Sequence, residues 1–228
     1  MPRDATARCP SKPAGITVVG IDVGGERKGF HAVALRDGNY YGHLPNKEVQ
    51  AKEVQALLQW CRDIGARVIA VDAPCGWSKD GRARPAEREL MGKRIWCFST
   101  PTKEMARNHP TKYFDWMQRG EKLYKELKRD FPLCQELPRP HEKCCFETFP
   151  HAITWQLQGG RAEASLKRKQ RRDLLVQAGV DLAELTNIDF VDAALCALTA
   201  YRAATGGKCE SFGEADTGLI IVPAQPKP

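Results

Sequence analysis

Two apolar runs in this chain each stop on an aspartate, and together they restrict its fold more than any other feature. Ile16 to Asp22 reads I-T-V-V-G-I-D, and Arg67 to Asp72 reads R-V-I-A-V-D. Both are short, rich in β-branched residues and mostly apolar, the pattern of strands covered on both faces. Gly24 and Gly25 break the first run. Gly29 to Leu35 then predicts a second strand, Asp37 and Gly38 a tight turn, and Asn39 to Leu44 a third strand, which together make an antiparallel meander. Lys47 to Ile64 sets Val49, Val54, Leu57, Leu58 and Cys61 on one helical face, with Gly65 as a stop. A helix in that place lets the fourth strand lie parallel to the first and beside it. Asp22 and Asp72 then meet at the carboxyl ends of adjacent strands, where open α/β sheets gather ligands.

An ionised group at the end of a buried strand costs several kcal/mol unless a cation or hydrogen bonds offset it. A second acidic pair, Asp189 and Asp192, opens the apolar run I-D-F-V-D-A-A-L-C-A-L, predicted as a helix capped by Thr186 or Asn187 and reaching about Thr205. Three residues apart, the two share a helix face in its first turn. Each acid has a plain structural explanation on its own, as a helix-dipole partner, a turn residue or a strand terminus. Their convergence points instead to a divalent site for Mg2+ or Mn2+. Two such ions roughly 4 Å apart would activate a water and stabilise the entering and leaving oxygens of a phosphodiester. Glu147, in F-E-T-F-P at the end of a short strand from Cys144 to Phe149, is a candidate extra catalytic carboxylate, with a bond to backbone or arginine as its structural alternative.

The chain has 228 residues, 42% of them hydrophobic, which suits one main domain. Residues 1–14 read as a mobile leader, 15–223 as the domain with an insertion around 79–142, and 224–228 as a tail. Within the insertion a helix is expected from Arg84 to about Ile95, irregular chain from Ser99 to Pro110, and helix again over Thr111 to Arg129. A basic helix follows from Glu163 to Ala178, ended by Gly179, and Leu219 to Val222 is the last apolar strand. No uncharged apolar stretch approaches the roughly 18 residues of a membrane span, and the opening lacks the apolar centre of a secretion signal, so a cytoplasmic location is expected. Nine cysteines, an odd number in a chain of this length, are expected mostly as reduced thiols. Cys134, His141, Cys144 and Cys145 match no standard zinc spacing. The formal charge of +7 suits a polyanionic partner such as nucleic acid. Between Arg161 and Arg172 there are six basic residues and one acid. Arg168, Lys169, Arg171 and Arg172 are therefore candidates for contact with a phosphate backbone, against the alternative of a solvated helix face.

G-I-D-V-G-G-E-R-K-G, V-I-A-V-D-A-P, F-E-T-F-P, K-R-K-Q-R-R-D-L-L, D-F-V-D-A-A-L-C-A and G-L-I-I-V-P together resemble the predicted nucleases grouped as domain of unknown function 429. More distantly, the D-x-x-D-A helix start is similar to that of Holliday-junction resolvases. The resemblance implies a ribonuclease H-like fold: a mixed five-stranded sheet, three strands antiparallel and the rest parallel, flanked by helices with a helical insertion. It also implies Asp22, Asp72, Asp189 and Asp192 as metal ligands of a nuclease. Resolvases carry a glutamate where this chain has the shorter Asp72. G-I-D-V-G-G also resembles the phosphate loop of the sugar kinase and actin superfamily, so an ATP-binding phosphotransferase-like protein is one alternative. A nucleic-acid-binding protein of the same fold without turnover is another.

Overall fold

The computed structural model describes residues 15–45 and 53–226. The expected leader, the first part of the first expected helix with Val49, and the last two residues of the tail lie outside the described residues. The described chain runs β1 (Thr17–Val23), β2 (Phe30–Arg36), β3 (Asn39–His43), α1 (Val54–Asp63), β4 (Val68–Asp72), α2 (Pro85–Gly92), α3 (Lys103–Arg107), α4 (Asp115–Leu127), β5 (Cys144–Glu147), α5 (Pro150–Leu157), α6 (Lys167–Gln177), α7 (Ile188–Ala204), β6 (Cys209–Glu214) and β7 (Gly218–Pro223).

All strands join one sheet in the order β3-β2-β1-β4-β5-β7-β6. The meander is antiparallel, β4 lies parallel to β1 and beside it, and β5 and β7 continue the parallel part. The sheet has seven strands, not the five that the resemblance implies, and one more than the six segments read as strands. The strand without a sequence signal is β6, whose C-E-S-F-G-E buries only Phe212, as befits an edge strand zipped antiparallel onto β7. A second correction concerns Ser99 to Pro110, expected irregular. It contains the five-residue α3, started by Thr102, whose side chain accepts from the Met105 backbone N–H at 3.2 Å.

Alternation along the strands divides the core between the two faces of the sheet. Val18, Val68 and Ala70 pack with α7, whereas Val19, Ile21, Ile69 and Val71 pack with Leu57 and Leu58 of α1 and Leu123 and Leu127 of α4. Helix α7 is buried nearly all round, with 13 of its 17 residues out of solvent, as expected of a helix apolar on every side. Gly20 sets how closely it approaches. A Cβ at this position would lie 2.0 Å from the Ala193 carbonyl oxygen and 2.1 Å from the Ala197 nitrogen, so only a glycine lets β1 and α7 touch backbone to backbone. Asn187 starts α7 by accepting from the Phe190 N–H at 2.9 Å, a cap worth about 1 kcal/mol. Among the described residues, no helix is long and apolar enough to cross a membrane.

Candidate functional site

Asp22 and Asp72 are register partners across the parallel β1–β4 pair. Their positions share parity with Gly20 and Ala70, so both side chains leave the sheet on the face that α7 covers. The close approach at Gly20 brings the first turn of α7 over that strand edge, and with it Asp189 and Asp192. Three elements separated widely in sequence thus bring four carboxylates to one strand edge, where Asp22 and Asp189 come within reach of one ion and Asp72 and Asp192 stand outside that group.

Electrostatics records the crowding. Burial, then the charges of Asp192 and Asp189, push the Asp22 carboxyl up to about 8, against the opposing pull of Lys28 and Arg171. Burial, then Asp22 and Asp192, hold Asp72 well above the usual carboxylate range. Asp192 is raised by burial despite its partner Arg171. Two of the four acids have a cationic partner: the Lys28 ammonium donates to Asp189 at 3.0 and 2.9 Å, and Arg171 donates to Asp192 at 2.5 Å. Asp22 and Asp72 have none among the described residues. Four carboxylates against two cations leave a formal charge of −2 when all are ionised, which one divalent ion balances.

His31 belongs to this group and has no signal in the sequence, because a histidine in an apolar strand reads as core. It is the register partner of Asp22 on β2. Ligand atoms of Asp22, His31 and Asp189 all lie within 4.8 Å of one another. The His31 ring meets the edge of Phe190 at 4.9 Å, and its buried Nδ1 has no hydrogen-bond partner among the described residues. Burial lowers its pKa and so keeps the ring neutral, the form that coordinates metal. A neutral imidazole beside the carboxylate oxygens of Asp22 and Asp189 is a donor set that fits a divalent cation. Asp22, His31 and Asp189 could hold one with the Arg171–Asp192 pair intact.

Glu147 is not brought into the cluster. Its register partner is Val71, not Asp72, so its side chain leaves the sheet on the opposite face. There Arg84 donates to its two oxygens at 2.6 and 2.9 Å, and the Cys75 backbone N–H donates at 2.8 Å. This is the structural alternative of the sequence reading. Burial and Glu147 also hold the Cys75 thiol well above its ordinary range, which makes it a poor nucleophile.

The basic helix divides. Arg168 and Lys169 are exposed on α6, with Lys169 paired to Asp173 at 2.8 Å. Arg172 is half-buried and donates to the Leu185 carbonyl at 3.1 Å. Arg171 is buried against Asp192, which corrects its expected role as a surface contact to phosphate. Helical geometry explains the split, since Arg171 shares the inward face of α6 with Leu174 and Leu175. His151 is half-buried near Phe149, its pKa lowered by burial and then by Arg171.

A family described as a protein of unknown function (DUF429) matches residues 20–217. The chain belongs to this family. The matched span opens two residues before Asp22 and takes in His31, Asp72, Asp189 and Asp192. Neither the curated proteins nor the solved structures gave a match.

Proposed function

We propose that this DUF429 protein is a divalent-metal-dependent nuclease with a ribonuclease H-like fold, hydrolysing phosphodiester bonds of nucleic acid in the cytoplasm. The observation that carries the reading is the meeting of Asp22 with His31 and Asp189, beside Asp72 on the adjacent parallel strand, with no ion pair to Asp22 or Asp72 among the described residues. A structural cluster would be balanced within the protein. Here the raised pKa values of Asp22 and Asp72 mean that the fold holds these two groups ionised only at a cost that a bound cation would remove.

Magnesium or manganese is the natural occupant of a site dominated by carboxylate oxygens, and it would supply a water of lowered pKa and charge stabilisation at the phosphoryl group. Asp22, His31 and Asp189 would hold it, with Asp72 beside Asp22 on the adjacent strand. Arg171 orients Asp192 and opposes the rise that burial imposes on its carboxyl. Lys28, whose ammonium sits on Asp189 at the open edge, is placed to meet a phosphate oxygen.

The test is cleavage of labelled single- and double-stranded DNA and RNA with manganese, alongside a calorimetric metal titration. Asp22→Asn should lower cleavage by about a thousandfold, the equivalent of ~4 kcal/mol, with the circular dichroism spectrum unchanged. Metal binding without cleavage of any substrate would leave a nucleic-acid-binding protein of this fold. ATP binding in place of metal-dependent cleavage would favour the phosphotransferase-like reading.

A further inference from the structure

The chain between β4 and β5 adds two features beside the carboxylates that the reading above does not use. The first is a cluster of rings that a soluble protein would ordinarily bury. Phe98 is 57% exposed and Tyr113 49% exposed, their centroids 6.0 Å apart, and Phe98 lies 6.3 Å from the half-buried Trp116. Phe98 and Trp116 line one narrow cleft that reaches Asp72 at the end of β4 from the side of the sheet where Arg84 and Glu147 lie. The neighbour of Tyr113, Lys112, forms an ion pair with Glu26 on the β1–β2 turn, the turn whose Lys28 holds Asp189. The chain that carries the rings thus meets the end of β4 on one side and the β1–β2 turn on the other.

The second feature is a lane of positive charge along α4. One concavity is lined by Lys28 and Lys112, the next by Lys112 and Lys122, and the next by Lys122, Lys125 and Lys128; Glu26 and Asp115 share the first two and Glu121 the third, and basic side chains outnumber acidic ones in each. Adjoining concavities share a lysine, so the lane is continuous from the carboxylate edge to the end of α4. Lys122, Lys125 and Lys128 are spaced three apart along the chain, so they line one helix face. The last concavity also contains Trp77, five residues beyond Asp72.

Resting on the nuclease reading, we propose that α4 and the rings before it form a track for a single-stranded nucleic acid, with phosphates on the lysine lane and unpaired bases stacked on Phe98 and Tyr113. Interleaved lysines and exposed rings are what binding of a single strand requires, since any unpaired base offers a face to stack. The bases of a duplex are already stacked on each other and cannot reach side-chain rings without unpairing. Phosphates alone would need only the lysines. The rings therefore select the unpaired strand.

The test uses the full chain with Asp22→Asn to prevent cleavage, a fluorescein-labelled oligothymidylate and a duplex of equal length, read by anisotropy over a salt series. The oligothymidylate should bind more tightly than the duplex. Phe98→Ala and Tyr113→Ala should each weaken single-strand binding about fivefold or more and leave duplex binding unchanged. Phe98→Trp should keep it. Lys122→Glu with Lys125→Glu should weaken binding and lower the salt slope by about 0.7 for each phosphate left without its lysine. Circular dichroism checks that each variant is folded. Equal affinity for the two probes, ring variants that bind like their parent, or no binding by the parent would each overturn the track. Cleavage that depends on Asp22 while the ring variants bind normally would overturn the track alone. Ring-dependent binding with cleavage indifferent to Asp22 would overturn only the nuclease reading.

Discussion

Two buried groups of charge sit at neighbouring strand ends of one sheet, and they are resolved in opposite ways. Around Arg84 the groups satisfy each other. The guanidinium donates to both oxygens of Glu147 and, through Nε, to Glu87 at 2.8 Å, while the Arg84 and Thr100 backbone N–H groups donate to Glu87 at 2.9 and 3.0 Å. All three side chains are buried, and no oxygen is left for a ligand. Around Asp22 the bonding fails: Asp22 and Asp72 accept no hydrogen bond and form no ion pair among the described residues, and both are pushed toward protonation. Completeness marks the first group as structural, and the deficit marks the second as a site.

The largest effect that could break this contrast is expected at Arg84. Arg84→Met leaves Glu87 and Glu147 buried without their cation, so urea denaturation should show a loss of about 3–5 kcal/mol, while manganese affinity measured by calorimetry stays as in the parent. Loss of metal binding in this variant, or in Glu147→Gln, would return Glu147 to the site. The next effect concerns pH. Asp22 stands at about 8 when folded against an ordinary 3.8, so the folded state holds the proton more tightly than the unfolded chain. Metal-free protein should therefore lose stability as pH rises from about 4 to about 8, by roughly 2–3 kcal/mol after allowance for solvent at the open edge. Thermal melts across that range should show the decline, and Asp22→Asn should flatten it. A parent as stable at pH 8 as at pH 5 would remove the deficit.

Gly20→Ala follows, at about 1–3 kcal/mol, because the new methyl must push α7 off β1. Manganese affinity should fall more than stability does, since the shift separates Asp22 from Asp189 and Asp192. The smallest effect belongs to Lys28, whose side chain is 61% exposed. Lys28→Gln should change stability by less than about 1 kcal/mol and tighten manganese binding by up to about fivefold, because a competing cation leaves Asp189. Weakened metal binding in that variant would mean that Lys28 organises Asp189 for the ion.

The strands that carry Asp22 and Asp72 were legible because their signals are local: β-branched runs ended by turn residues, and a helix-length connection that makes the second parallel to the first. Helix α7 was legible for the same reason, through its cap and its apolar run. The polar β6 left no such trace, since an edge strand paired to β7 need bury only one side chain. His31 was hidden because its role comes from standing opposite Asp22 in the hairpin, which requires the register. Arg171 and Glu147 were misplaced for a related reason. The six basic residues of one segment do not all face one way on a helix, and a one-residue offset in register sends a strand carboxylate to the other side of the sheet.

The amino-acid sequence by itself determined which segments become strands and helices and which acids stand at their ends, because propensity, turn residues and hydrophobic period act between near neighbours. Tertiary structure alone decided which of those acids share a face, which receive an arginine and which are left short of positive charge. Those outcomes depend on strand register and on the distance at which α7 meets Gly20, and both are settled only when remote segments pack.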